Sequence, residues 1–124
     1  MPCSYEIDLA HDLVRTHFSG VLTLVDVEAN RQRMINDPAF RPDLSQLIDL
    51  RDVTTFGLTA AEIRDLTTKS DFGPDSRRAL ILPANRGVVF GMARMFQTYR
   101  EVRSGREQIQ TFDSLEDAMA WLAR

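Results

Sequence analysis

Cysteine occurs once, at Cys3, and histidine twice, at His11 and His17. A lone cysteine makes no internal disulfide, and no charged-then-apolar signal segment opens the sequence, so a reducing, cytoplasmic setting is expected. The two histidines, one in a turn and one on a strand, match no common zinc spacing, so neither a metal site nor a cofactor is expected. The GxSxG elbow and the phosphate cradles GxxxxGKS/T and GxGxxG are missing as well. Neither histidine has a partner that would make it the base of a nucleophile, and an enzyme is not expected. The longest apolar runs, such as Ala79–Leu82, fall far short of the roughly 20 residues that span a bilayer, so no membrane insertion is expected. Fifteen basic against eighteen acidic residues give a net charge of −3, which supplies no general attraction to nucleic acid. Internal repeats and low-complexity tracts are absent too.

What remains is a well-patterned globular chain. At 124 residues, with 44% apolar and 27% charged residues, it reads as one domain over 1–124. Tyr5, Ile7 and Leu9 alternate with polar neighbours, as do Val14, Thr16 and Phe18, and the short link between these runs predicts an antiparallel hairpin. From Gly20 the period changes to that of a helix, with Leu24, Val27, Met34 and Ile35 on one side and Pro38 near its end. Residues 44–50, LSQLIDL, form a third strand whose continuous apolar content suits an interior place, followed by an acidic turn. Thr59 and Glu62 have capping-box spacing and open the next helix. Residues 77–83 give a buried fourth strand, 87–102 a helix, 107–112 a polar edge strand, and Asp113 the cap of a last helix.

The order β-β-α-β-α-β-α-β-α implies an α/β fold. It has a single mixed five-stranded sheet, with an N-terminal antiparallel hairpin, a largely parallel remainder and four helices. The stretch 71–76 is expected to be a mobile connection.

Three groups of residues are candidates for function. Asp49 and Asp52 flank Arg51 at the end of an apolar strand, where open α/β sheets hold ligands, and Asn85 and Arg86 sit at a helix start where an anion fits. Against a ligand-end or acid–base role stands the plainer reading of an acidic turn neutralised by its arginine. In the helix 87–102, stepping about 100° per residue, Met92, Met95, Tyr99 and their apolar neighbours cover about half the circumference, more than one core contact requires. Phe90 falls on the opposite, polar side, and Trp121 lies off the apolar stripe of the last helix. Phe90, Met92, Met95, Tyr99 and Trp121 are therefore candidates for an interface, with a homodimer or another protein as partner.

The element order, the LIDLRDVT strand and turn, the capped helix after it and the FGMARMF helix together resemble the STAS-like, anti-sigma-factor-antagonist-like group. The resemblance covers nearly the whole chain and implies a regulatory or protein-interaction module, or alternatively a small-molecule or lipid-binding sensor. In the phosphoregulated antagonists of that group an Asp-Ser-Ser/Thr-Gly segment carries a phosphorylated hydroxyl at a helix start. The resemblance puts this segment at Gly57–Ala60, which makes Thr59 the candidate switch. Here Gly57 stands where the Asp would be and Ala60 where the Gly would be. The sensor alternative predicts an apolar cavity of several hundred Å³ near the LRDVTTF and PANRG loops.

Overall fold

The computed structural model of the chain describes residues 3–62, 65, 71–73, 75–83 and 108–123. Strand β1 (Cys3–Asp8) pairs antiparallel with β2 (Leu13–Thr23), in a register that sets Cys3 opposite Phe18 and Asp8 opposite Leu13. Asp12 closes the turn between them with φ 51°, a left-handed conformation that a short polar side chain tolerates. Strands β3 (Ser45–Gly57), β4 (Arg77–Ile81) and β5 (Gln108–Phe112) follow in parallel, giving one mixed sheet in the order β1-β2-β3-β4-β5. The polar strand β5 takes the edge, where Gln108 and Gln110, two of its five residues, meet water without cost.

Helix α1 (Leu24–Ile35) starts at Thr23, whose hydroxyl accepts from the Asp26 N–H at 3.3 Å. Its far end is tied to β1 by the Tyr5 hydroxyl, which lies 3.1 Å from the Arg33 carbonyl and 2.9 Å from Asp37 Oδ2. Helix α2 (Leu115–Leu122) is capped by Ser114, whose hydroxyl accepts from the Asp117 N–H at 3.2 Å. The expected cap, Asp113, lies one residue too early: Ser114 is the last extended residue, with φ −139° and ψ 152°.

The core has two sides because the sheet has two. Phe18, Leu22, Leu50, Val53 and Leu80 pack on one face with Val27 of α1 against them. Leu13, Leu47, Ala79 and Ile81 pack on the other, with Ala118, Met119 and Leu122 of α2. This double burial suits the apolar residues of β3, with Leu50 and Val53 in one cluster and Leu47 in the other. A third group, Val14, Met34, Leu44 and Phe72, seals the end of α1.

Several expectations need correction. The helix does not begin at Gly20, since β2 continues to Thr23, and LRDVTT is strand rather than turn, since β3 runs to Gly57. The two extensions pair with each other, Gly20 opposite Val53 and Thr23 opposite Gly57, with register shifts after His17 and after Gly20. Gly20 takes φ 67° at the second shift, and β-branched Val53, Thr54 and Thr55 suit the extended backbone. Residues 71–73 and 75–76 are pinned rather than loose: Phe72 and Ser76 are buried, and the Gly73 N–H and Ser76 hydroxyl both donate to the Pro42 carbonyl. Three helical stretches, rather than four, fall among the described residues: α1, the one opening at Ala60, and α2. The order there reads β-β-α-β-α-β-β-α, because the expected helix 87–102 lies outside the described residues.

Candidate functional site

Because LRDVTT is strand, its charged residues project sideways from β3 instead of crowding a turn. Asp49 is held by Arg51, with Nε to Oδ1 at 2.9 Å, Nη2 to Oδ2 at 2.8 Å and the Arg51 N–H to Oδ1 at 3.0 Å. Partial burial pushes the Asp49 carboxyl up. The hydrogen bonds and charge of Arg51, with His17 nearby, outweigh that and hold it below its ordinary 3.8. Asp52 turns to a different partner, His17, with Nε2 and Oδ2 2.7 Å apart and both side chains exposed. The two carboxylates therefore do not converge on one substrate position, and Asp49 has the opposite shift from a general acid at neutral pH. Asn85 and Arg86, the other expected ligand-end residues, lie outside the described residues.

Thr59 forms the reciprocal capping box its spacing predicts. Its N–H donates to Glu62 Oε1 at 2.9 Å and its hydroxyl accepts from the Glu62 N–H at 3.2 Å, on an exposed surface. Of the expected interface residues, Phe90, Met92, Met95 and Tyr99 lie outside the described residues. Trp121 is half-buried within its own chain. Its ring lies 5.5 Å from that of Phe112, the Arg77 guanidinium sits 5.4 Å over it, and its carbonyl accepts from Arg77 Nη1 at 2.7 Å. Exposed large apolar side chains among the described residues are Leu9, Leu115 and, near the start of α1, Val21 and Val25, the last two 53% and 78% exposed.

His11 pairs with Asp8 in the hairpin turn at 2.7 Å, and Arg15 reaches the same carboxylate at 3.1 Å. Among the described residues no three metal-capable side chains gather, and no helix is long and apolar enough to cross a membrane.

The feature that the sequence did not reveal is a cavity of about 130 Å³ between α1 and the sheet. It is smaller than the several hundred Å³ expected, and it lies under α1 rather than at the strand-end loops. Phe18, Leu22, Val27, Leu50, Leu58 and Leu80 form its apolar end, toward the C-terminal ends of the strands. Thr16, Gln46, Asn30, Arg31, Asp71 and Arg78 form a polar end. There Gln46 Nε2 donates to Thr16 Oγ1 at 3.0 Å, and Arg31 binds both Asp71 oxygens, Nη2 to Oδ1 at 2.8 Å and Nε to Oδ2 at 2.5 Å. The Arg78 guanidinium lies 5.0 Å over the Phe72 ring, and Gln46 and Arg78 are direct partners across β3 and β4. The available signal was this alternation: Thr16, Gln46 and Arg78 occupy inward positions on three adjacent strands, where an ordinary core would carry apolar side chains.

No family model matches the sequence, and no curated protein matches it. Among solved structures, an uncharacterized protein from the DUF3478 family with a SpoIIAA-like fold, from Shewanella loihica PV-4, is similar. The TM-score is 0.63 at 21% identity, over 97% of this chain and 93% of that one. The likeness shows a SpoIIAA-like, STAS-like fold.

Proposed function

We propose that the protein is a non-catalytic regulatory or protein-interaction module of STAS-like type that associates with itself. The observation that carries this reading is the Asp49–Arg51 pair. Asp49, a partly shielded carboxylate within β3, is held ionised by its own neighbour, which disfavours its use in proton transfer. Self-association is supported by the broad apolar arc of 87–102 in the sequence and by the exposed Val21 and Val25. Thr59 is the proposed point of control. A phosphate there adds up to about two negative charges at a helix start, which the helix dipole favours and an apolar partner surface does not. Amide spectra recorded over a wide concentration range test the reading: resonances within 87–102 shift with concentration if that segment forms the contact, and unchanged spectra contradict it.

A second reading, a small-molecule sensor, is favoured by the cavity under α1. An amphipathic cavity inside a sheet-and-helix layer is the arrangement by which small domains hold ligands.

A further inference from the structure

We infer that the cavity under α1 receives a small neutral alcohol, with its hydroxyl between Asn30 and Gln46 and its hydrocarbon body toward Leu22, Leu50 and Leu58. The inference rests on the sensor reading and adds to it the class, size and direction of the ligand.

The volume sets the size. About 130 Å³ is close to the roughly 150 Å³ of an apolar protein cavity that takes up benzene, so the occupant has about six to nine non-hydrogen atoms, one ring or a short chain. Buried Phe18, Leu22, Leu50 and Leu80, with half-buried Val27 and Leu58, line the apolar end, which takes hydrocarbon.

The polar end offers one donor and one acceptor, from opposite walls. Asn30 lines the cavity from α1 and is 3% exposed. Its Oδ1 accepts from Arg33 Nη2 at 3.2 Å, and among the described residues nothing accepts from its Nδ2. Gln46 lines it from β3 and is 9% exposed. Its Nε2 donates to Thr16 Oγ1 at 3.0 Å, and among the described residues nothing donates to its Oε1. Shielded polar atoms without partners are unfavourable, so a ligand that meets both is selected. A hydroxyl does this with one oxygen, accepting from Asn30 and donating to Gln46, whereas a carboxylate only accepts and an ammonium only donates. Nor does net charge draw an ion out of water. Arg31 binds Asp71 through two bonds and Glu28 at 3.3 Å, so among the described residues Arg31 and Arg78 stand with two carboxylates.

Titration calorimetry on the full chain compares benzyl alcohol with ethylbenzene, in which methyl replaces the hydroxyl, and with the charged benzoate and benzylammonium. Benzyl alcohol is expected to bind at least about tenfold tighter than each of the others, since a shielded site that pairs a hydroxyl rejects the analogue lacking it. In Asn30→Leu and in Gln46→Met, ethylbenzene is expected to bind at least as tightly as benzyl alcohol, because a hydroxyl without its partner is disfavoured in apolar surroundings. The two substitutions lie on different elements, so one still reports where the other fails to fold. Ethylbenzene, benzoate or benzylammonium binding the wild type at least as tightly as benzyl alcohol overturns the hydroxyl assignment and leaves the sensor reading standing. A preference for the alcohol that neither variant changes overturns it too. No binding of any of the four probes by the wild-type chain overturns both.

Discussion

Arg51 binds Asp49 through two side-chain bonds and one backbone bond across a single intervening residue, so the guanidinium that neutralises the carboxylate is supplied by the same strand. Such a pair forms locally whenever β3 is extended, and it needs no help from the rest of the fold. It replaces the acidic turn with a charged strand edge, and it removes the strongest argument for acid–base chemistry.

The pair has a pH signature. The folded carboxyl titrates below its ordinary 3.8, so the stabilisation is fully present above about pH 4 and is lost as the pH falls through the folded value. Arg51 is 46% exposed, and solvent screening limits the pair to about 0.5–1 kcal/mol. In Arg51→Met the Asp49 carboxyl is expected to titrate higher than in the wild type, followed by the carboxyl carbon shift in NMR. An unchanged titration contradicts the assignment.

Thr59→Ala removes the acceptor for the Glu62 N–H and is expected to cost about 1 kcal/mol in urea unfolding, whereas Thr59→Ser and Thr59→Asp retain a cap and most of the stability. If Thr59 is also the point of control, Thr59→Asp shifts the association equilibrium without unfolding the chain, and Thr59→Ser does not. Sedimentation measurements distinguish these outcomes.

The Arg31–Asp71 pair fastens the segment 71–73 to α1 at a site where both side chains are at least three-quarters shielded, 23% and 19% exposed. Asp71→Ala leaves a partly buried guanidinium with one carboxylate fewer and is expected to cost about 1–2 kcal/mol, less than a fully buried pair would. Protection of the Gly73 amide, which donates to the Pro42 carbonyl, is expected to fall with it in hydrogen exchange.

Inside the cavity wall, Gln46 and Thr16 satisfy each other at burial of 9% and 2% exposure. Thr16→Val strands the Gln46 amide and is expected to cost about 1–2 kcal/mol. The double variant Thr16→Val, Gln46→Met is expected to cost less than the sum of the singles, because neither polar group is then left buried alone. Chemical denaturation of the four proteins closes the cycle, and strictly additive costs contradict the coupling.

Much of the fold was legible in the residues because local patterns and tertiary demands agree. The inward alternation of Val14, Thr16 and Phe18 survives in β2, the apolar run of LSQLIDL is covered on both faces, and QIQTF sits at the edge. The Thr59–Glu62 box formed as its spacing required. Errors arose where a non-local partner decided. Nothing near Gly20 or Asp52 in sequence announces that the two strands extend along each other through two register shifts, because that pairing stabilises only once both are present. The cavity was hidden for the same reason. It exists because Gln46 and Arg78 are brought side by side by the β3–β4 register while Asn30 and Arg31 arrive on α1 from the other direction.

Light scattering of the intact chain, followed by the Met92→Asp variant, tests the central claim most directly. The account predicts a wild-type molar mass near twice 14.1 kDa at working concentrations and a fall toward 14.1 kDa in the variant. A wild-type mass that stays at 14.1 kDa across all concentrations contradicts it.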